Sequence, residues 1–251
     1  MRKKDYTGLE NINNFGSKMI INKYRGYHNI EVYFPEYDWF IDSDMNAFKR
    51  GEIKCPYETR YFNVGYLGEG EYKFNKSNDV FIAWNSMIRR CYNNVYQKNY
   101  PTYGSCEVCE EWHNFQNFAK WYEENYYEID GEKMNLDKDI LVKHNKIYSP
   151  ETCIFVPQRI NELFTKSNKS RGEYPIGVSY NKGNNALMVY CNIKCKLTYL
   201  GKFQLNQVEE AFNTYKIAKE KEIKRIADEY KDKIPQELYD AMYRYEVEIT
   251  D

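Results

Sequence analysis

The clearest alternation of apolar and polar residues lies in the last third of the chain. Residues 176–180, 187–193 and 196–200 are rich in strand-forming side chains, and the polar residues 181–185 predict a turn between the first two. From residue 207 to residue 230, apolar residues recur at three- and four-residue steps, which is typical of an amphipathic helix. The pattern therefore predicts a three-stranded sheet with one long helix packed on it.

In the second of these predicted strands, the alternation assigns each residue to one side of the sheet. The side that faces the helix should carry Val189, Cys191 and Ile193. The outer side should carry Met188, Tyr190 and Asn192, with Lys194 at the following turn. An outer side that is partly aromatic and partly polar is a candidate binding surface, or an aromatic layer that merely covers the sheet.

Residues 134–164 predict the order strand, strand, helix. The first part alternates apolar and acidic residues, residues 143–146 are polar and suit a hairpin tip, and residues 147–156 are again rich in strand formers. Pro157 then suits the start of a short helix, because its missing N–H would be unpaired at that position anyway.

The remaining chain predicts a β-rich start and a helical middle. Strands are expected near residues 19–21, 30–34 and 39–41, with a helical turn at 46–51. The glycine-dense residues 65–72 read as a connector, since no Gly-Lys-Ser/Thr follows them. Residues 81–96 and 112–127 each repeat apolar residues with helical spacing.

These elements predict an α+β protein of three small modules. Residues 1–72 form a β-rich module, residues 73–168 contain the strand–strand–helix unit, and residues 169–251 contain the C-terminal sheet, its helix and a tail. The tail, from residue 234 onward, predicts a short helix and a final strand-like run.

Charge is nearly balanced over the chain but is uneven along it. The 251 residues carry a net charge of −1, which excludes a global basic field of the kind many nucleic-acid proteins have. Residues 107–132 are acidic and would repel DNA phosphates, which suits solvent or a basic protein partner. Between residues 166 and 204 there is one acid, Glu173, and the basic residues are Lys166, Lys169, Arg171, Lys182, Lys194, Lys196 and Lys202.

Seven cysteines raise the question of metal binding. The start of the chain leads to no apolar run and no stretch of 18 apolar residues occurs, so we expect a cytoplasmic protein without a membrane span. Reduced thiols favour metal over disulfides. Cys106 and Cys109 are spaced as half of a zinc site, which Cys91 and Cys153 would complete, with His113 in reserve. The alternative is a set of buried apolar thiols.

At residues 136–161 the chain resembles phage HNH homing endonucleases. That family carries an acidic-His-acidic strand end, then Tyr-Ser-Pro-x-Asn-Cys-x-Trp, then a helix with Asn. The matching residues are Leu136-Asp137-Lys138-Asp139, Tyr148-Ser149-Pro150-Glu151-Thr152-Cys153-Ile154-Phe155 and Arg159-Ile160-Asn161. Two positions depart from the pattern, because Lys138 stands where the family has its catalytic His and Thr152 where it has the middle Asn.

The HNH resemblance implies a ββα unit around one divalent cation, Mg²⁺ or Mn²⁺, that stabilises the leaving oxygen of a phosphodiester. Asp137, Asp139 and Asn161 are the expected ligands. A general base is also needed, and the candidates are Lys138 and His144. Lysine has an ordinary pKa near 10.4, so it is a poor base unless it is strongly desolvated.

The C-terminal module resembles the APETALA-type DNA-binding domain, which also occurs at the ends of phage HNH endonucleases. The resemblance rests on Gly177-Val178-Ser179-Tyr180, on Tyr199-Leu200-Gly201-Lys202-Phe203 and on Glu209-Glu210-Ala211-Phe212-Asn213-Thr214-Tyr215. It implies a sheet that enters the major groove of double-stranded DNA while the helix braces it. The expected contact residues are Tyr180, Lys182, Tyr190, Asn192, Lys194, Lys196, Tyr199 and Lys202.

Two hypotheses about function follow. The first is a phage DNA-binding protein of HNH ancestry, acting in the infected bacterial cell, with or without metal-dependent nicking or cleavage. The second is a scaffold that has lost catalysis and binds and inhibits a host or defence protein. The missing catalytic His and the acidic surface at residues 107–132 motivate the second hypothesis.

Overall fold

The computed structural model describes residues 4–165 and 172–251. Three basic residues of the predicted C-terminal cluster, Lys166, Lys169 and Arg171, lie outside the described residues. Helices and strands are both abundant and the sheets are mainly antiparallel, which confirms the α+β class. The chain forms two compact units, the first from residues 1–124 and 146–150, the second from residues 125–145 and 151–251. The predicted central module, residues 73–168, is thus divided between them.

The first unit begins with a four-stranded antiparallel sheet in the order β1-β2-β3-β4. Its strands are β1 (Glu10–Ile12), β2 (Lys18–Gly26), β3 (Asn29–Phe34) and β4 (Trp39–Ser43). Alternate residues of β2 and β3 are buried, because one face of the sheet packs on the short helix α1 (Met45–Arg50). Three of the four strands and α1 match the predicted elements, and β1 is an addition.

Helix α1 has a well-defined start and end. The Asp44 carboxylate accepts the backbone N–H groups of Asn46 and Ala47 at 2.7 and 3.0 Å, which satisfies two donors of the first turn. Gly51 ends the helix in the left-handed region at φ 68°. These contacts fix the helix over the sheet, where Met45 and Phe48 are buried.

The middle of the first unit is helical, but the predicted helix at 81–96 is two helices. α2 (Asp79–Tyr92) ends where Asn93 turns extended, and the Asn93 side chain then caps α3 (Asn94–Asn99) by accepting the Tyr96 N–H at 2.7 Å. The prediction failed because an asparagine favours a cap over a helix interior. A 3₁₀ turn (Pro101–Tyr103), β5 (Glu107–Val108), a second 3₁₀ turn (Glu110–His113) and α4 (Phe115–Asn125) follow.

The strand–strand–helix prediction is confirmed in order and corrected in pairing. β6 (Met134–Asp137) pairs antiparallel with β8 (Ile154–Pro157), and α5 (Gln158–Leu163) follows directly. The predicted strand at 147–156 is interrupted after β7 (Ile147–Tyr148), which pairs in parallel with β5 of the first unit. Proline lacks the N–H that a continuous ladder needs, and Pro150 lies in the interruption. Residues 143–146 are therefore not the tip of a two-stranded hairpin.

The C-terminal prediction is confirmed nearly residue by residue. β9 (Val178–Asn181), β10 (Ala186–Ile193) and β11 (Lys196–Phe203) form an antiparallel sheet with β10 in the middle. α6 (Val208–Tyr230) packs on this sheet through Ala211, Phe212 and Tyr215. The far end of α6 packs with β8, α5 and α7 (Gln236–Arg244) in a second apolar cluster.

The end of the chain differs from the prediction. Residues 245–251 form no strand, although Val247 is buried against the sheet–helix core. Over the described residues, no helix combines the length and the apolar character that crossing a membrane requires.

Candidate nucleic-acid interface and metal loop

The sheet of β9, β10 and β11 has one face covered by α6 and one face open, and the strand register decides which residues lie on each. Opposed residues of an antiparallel pair share a face. On the covered side, Val189 is opposed by Val178 and by Gly201. The open side is made by the pairs Met188–Ser179, Met188–Lys202, Tyr190–Tyr199 and Asn192–Leu197. We call Ser179, Met188, Tyr190, Asn192, Leu197, Tyr199 and Lys202 the outer face.

The outer face is aromatic at its centre and polar at its ends. The Tyr190 and Tyr199 rings lie 5.6 Å apart across β10 and β11. Asn192 and Lys202 are exposed on either side of this pair along the strands, and Tyr199 is 51% exposed. A register shift between Val189 and Tyr190 keeps the two rings opposed. This arrangement combines π-faces, an amide and an ammonium on one rigid surface.

The strands and turns of this sheet carry one sign of charge. From residue 174 to residue 208 there is no Asp or Glu, while Lys182, Lys194, Lys196 and Lys202 are all present and exposed. Lys182 lies in the turn between β9 and β10, and Lys194 lies in the turn between β10 and β11. The two turns place a lysine at each end of the central strand.

Two of the predicted contact residues within the strands lie on the covered side of the sheet. Tyr180 is opposed by the fully buried Leu187, so it belongs to the covered side, where its hydroxyl donates to the Asn185 side chain at 3.0 Å. Lys196 is opposed by Ile193, which packs on the α6 core. The register thus places these two residues off the outer face, which the alternation of β10 alone did not show, and their contact with DNA stays a prediction.

The turn between β10 and β11 is anchored to α6. Lys194 and Cys195 both have left-handed backbones, with φ of 50° and 61°. Two such residues make the tight turn whose twist matches paired strands. The Lys194 N–H donates to Glu222 Oε1 at 2.8 Å, and Arg225 donates to both oxygens of that carboxylate at 2.7 and 2.8 Å. Glu222 is only 4% exposed.

The same ion-pair network continues from α6 to α5. Arg225 also donates to Glu229 at 2.6 Å, and Arg159 of α5 donates to both oxygens of Glu229 at 3.0 and 3.1 Å. A bidentate contact between a guanidinium and a carboxylate fixes the relative orientation of the two groups in addition to pairing their charges. The hairpin turn and the helix of the ββα unit are therefore tied to one backing helix.

The predicted metal ligands lie in the loop that follows β6. Asp137 ends that strand, and its Oδ1 accepts the backbone N–H groups of Asp139 and Ile140 at 2.9 and 2.8 Å. Burial, with the negative charge of Asp139 added to it, raises the pKa of Asp137 to about 6. One carboxylate oxygen of Asp137 is thus committed to closing the loop.

Lys138 is buried, although it holds the place that the HNH resemblance gives to the catalytic His. Its ammonium lies 3.0 Å from Asp139 Oδ2 and 3.0 Å from the Asn145 carbonyl oxygen. The Asn145 side chain donates back to the Lys138 carbonyl at 2.6 Å. Lys138 is the hydrogen-bond donor in these two contacts, whereas a general base must accept a proton. The arrangement favours a structural role for this residue.

His144, the other candidate base, is turned toward the end of the chain. It has a left-handed backbone at φ 65°, and its Nε2 lies 3.2 Å from Glu248 Oε2. One ligand atom from each of His144, Glu248 and Asp251 could meet at a cation. The Lys143 ammonium lies 3.0 Å from Glu248 Oε1 and 3.1 Å from Asp251 Oδ2. Lys143 therefore already supplies a positive charge next to these two carboxylates.

Asn161, the third predicted ligand, lies in the middle of α5. That helix packs against β6 and β8, so Asn161 belongs to the same ββα unit as Asp137 and Asp139. The Asn161 backbone carbonyl accepts from Phe164 at 3.2 Å, and its side chain is half-buried. β6, β8 and α5 have the predicted strand–strand–helix order, and the HNH unit and its cation remain predictions.

The predicted zinc ligands are divided between the units. Cys91 and Cys106 are buried in the first unit and Cys109 is half-buried there, whereas Cys153 is buried in the second. Within the first unit, the Tyr92 hydroxyl accepts the Val108 N–H at 3.1 Å and thereby holds the Cys106–Cys109 loop to the end of α2. Buried thiols are compatible with a zinc site and with simple packing in an apolar core, so zinc also remains a prediction.

The structure adds residues that sequence reasoning did not select. Leu197 and Ser179 lie on the outer face, and carrying the alternation of β10 into β11 and β9 would have identified both. Glu222 anchors the hairpin turn, but in the sequence it is one charge among many in a polar stretch. No local pattern marks such a residue, because its partner lies 28 positions away.

Comparison of the chain with protein-family models, with curated proteins and with solved structures finds no match.

Proposed function

We propose that the protein binds double-stranded DNA through the outer face of the β9–β11 sheet. The observation that carries the proposal is the Tyr190–Tyr199 pair, set between Asn192 and Lys202 in a stretch without acidic residues. A β-ribbon fits the major groove, where side chains reach base edges. Lysines at the rim supply the charge that neutralises phosphates.

Each outer-face residue has a distinct chemical task in this proposal. Asn192 has an amide that can pair with the N6 and N7 edge of adenine. Tyr190 and Tyr199 offer hydroxyls and ring faces to the groove, while Lys202 and Lys194 contact phosphates as point charges. The Glu222 anchor keeps the turn, and so Lys194, at a fixed distance from the rings. Binding therefore uses a preorganised surface.

The salt dependence of binding tests this proposal. Lys202→Ala should lower the slope of log affinity against log salt by roughly 0.9, because one phosphate contact is lost. The measurement is fluorescence anisotropy of labelled duplexes of several sequences at four or more salt concentrations. Lys221→Ala is the matched control, since Lys221 is exposed on α6, the helix on the covered side. Equal slopes for the two variants would contradict the proposal.

The same surface supports a second candidate function. Leu197 is 71% exposed on the outer face and lies beside the tyrosine pair, and an exposed apolar residue in an aromatic patch suits a protein partner. In this reading the scaffold binds and inhibits a host or defence protein. Leu197→Ser separates the two functions. It should leave the salt slope of DNA binding intact, and it should abolish binding of a protein partner.

A further inference from the structure

A second basic surface lies in the first unit, far in sequence from the β9–β11 sheet. Between Asp79 and Glu107 the chain has no acidic residue, and its basic residues there are Arg89, Arg90 and Lys98. Arg89 and Arg90 occupy the last turn of α2. The segment that follows brings several tyrosines against them. We call Arg89, Arg90, Tyr96, Tyr103 and Tyr148 the arginine–tyrosine cluster.

Arg90 is the unusual member of this cluster. Its Nη1 donates to the Tyr148 hydroxyl at 3.5 Å, and its guanidinium centre lies 5.8 Å from the centre of the Tyr103 ring. Among the described residues no carboxylate pairs with it, although the side chain is half-buried. A guanidinium that has lost part of its hydration normally gains a carboxylate or phosphate in exchange. Here the described residues do not supply that anion.

Tyrosine rings pack against both arginines of the cluster. The Arg89 guanidinium lies 4.8 Å from the centre of the Tyr96 ring, and the Tyr96 and Tyr103 rings are 5.9 Å apart. Ring faces attract guanidinium groups and hold them in place without neutralising their charge. The cluster thus holds two arginine side chains against tyrosine rings, and the buried Tyr148 hydroxyl accepts a hydrogen bond from Arg90.

We propose that Arg90, which the Tyr148 hydroxyl helps to position, forms a phosphate-binding site together with Arg89. Arginine forks match the oxygens of a phosphate group in a bidentate way. The source of the phosphate is either a nucleic-acid backbone or a free phosphate ion, and both present the same oxygens. The site is separate from the outer face, so it does not depend on the function proposed above.

Protection from chemical modification tests the site in the wild-type protein. Phenylglyoxal modifies accessible arginines, and mass spectrometry of peptides reports the rate at Arg90 itself. Inorganic phosphate at about ten times its dissociation constant should slow that rate about tenfold. Sodium chloride of matched ionic strength should not. A short DNA duplex is tested in parallel. Protection by either phosphate source supports the site and names the source. Protection by neither, or equal protection by chloride, overturns the proposal.

Variants give an independent reading. Arg90→Lys keeps the charge but loses the fork, so it should weaken the stabilisation of the protein by inorganic phosphate in a thermal-shift titration. Lys98→Ala is the matched control, because Lys98 is exposed in the same acid-free stretch. Equal losses in both variants would point to diffuse charge and overturn the site. If Arg90→Lys does not fold, Tyr148→Phe replaces it, with the same weakening expected and an unchanged titration counting against the site.

One further arm separates this inference from the proposed function. The duplex protection is repeated with Lys202→Ala. Loss of DNA affinity in that variant with retained phosphate protection at Arg90 supports both proposals. If Lys202→Ala keeps both its DNA affinity and the protection of Arg90, DNA binding by the outer face is excluded and the phosphate site at the arginine–tyrosine cluster is supported. If Arg90 is protected in neither the wild type nor the variant, the phosphate site is excluded and the proposal for the outer face is unaffected.

Discussion

Single residues hold the outer face in position, and Glu222 is the one with the most defined role. Its carboxylate joins the Lys194 N–H to the Arg225 guanidinium although it is nearly inaccessible to solvent. The Arg225 hydrogen bonds, with a smaller contribution from the Lys194 N–H, lower the pKa of Glu222 despite the opposing effect of burial. Stability therefore depends on the charged form of this residue.

Replacing Glu222 with Gln should destabilise the protein by about 1–2 kcal/mol at neutral pH, because the charge-assisted hydrogen bonds to Arg225 are lost. A lowered folded-state pKa contributes stability that is present above the ordinary pKa and lost as pH falls through the folded value. The difference between wild type and variant should thus shrink below about pH 4.5. Urea unfolding at pH 7 and at pH 3.5 measures it.

The matched control for this residue is Glu229→Gln. Glu229 contacts Arg225 and Arg159, but its side chain is 44% exposed, so its ion pairs are screened by solvent. We expect its loss to cost less than the loss of Glu222. If the two variants were equally stable, the hairpin anchor would have no special energetic weight.

Among the elements, the junction before β9 constrains the sheet most tightly. Gly177 has φ 78°, and a Cβ at this position would lie 2.0 Å from Tyr215 Cδ2 of α6. The backbone therefore approaches the helix as closely as a residue without a side chain allows. The Gly177 carbonyl also accepts the Tyr190 N–H at 3.0 Å, so the junction supports the central strand.

Gly177→Ala should destabilise the protein by about 2–4 kcal/mol, from backbone strain together with the clash on Tyr215. Thermal unfolding followed by circular dichroism is the measurement. Gly183→Ala, in the β9–β10 turn, is the control, because its Cβ would meet only Asn181 Oδ1 at 3.4 Å. A Gly177→Ala protein as stable as this control would mean that α6 can shift away from the sheet.

Local patterns predicted some elements and could not predict others. The C-terminal sheet and α6 were predictable because alternation and helical spacing are both strong there. The break at Asn93 was missed because one capping residue outweighed a continuous apolar pattern. The pairing of β5 with β7 was not predictable, since no local feature of residues 107–108 indicates a partner at 147–148.

The candidate site also contains residues whose positions were predictable from the sequence and residues whose positions were not. Alternation assigned Tyr190 and Asn192 to the outer face, and the register places them there together with Tyr199 and Lys202 of β11. Sequence could not show that the ammonium of Lys138 would be buried against Asp139, because that depends on the path of the loop after β6. Burial of a charged residue is a tertiary property, and the residue types alone do not determine it.

At the scale of the whole molecule, the question is whether DNA binding is joined to cleavage. Plasmid DNA incubated with the protein and Mg²⁺ or Mn²⁺ should stay supercoiled, because the Lys138 ammonium is buried and donates hydrogen bonds to Asp139 and Asn145. Gel electrophoresis of the plasmid is the measurement, and Asp137→Asn is the control variant. Nicking by the wild type that disappears in Asp137→Asn would show that the ββα unit is catalytic.

The interleaving of the two units has a consequence for synthesis on the ribosome. The first unit contains residues 146–150, so β5 has no partner until that segment has left the exit tunnel. By then residues 125–145, which belong to the second unit, have already emerged and must wait for β8. The nascent chain therefore cannot finish one unit before starting the next, as a simple tandem protein does. Translation speed near codon 150 becomes a variable that can govern the yield of folded protein.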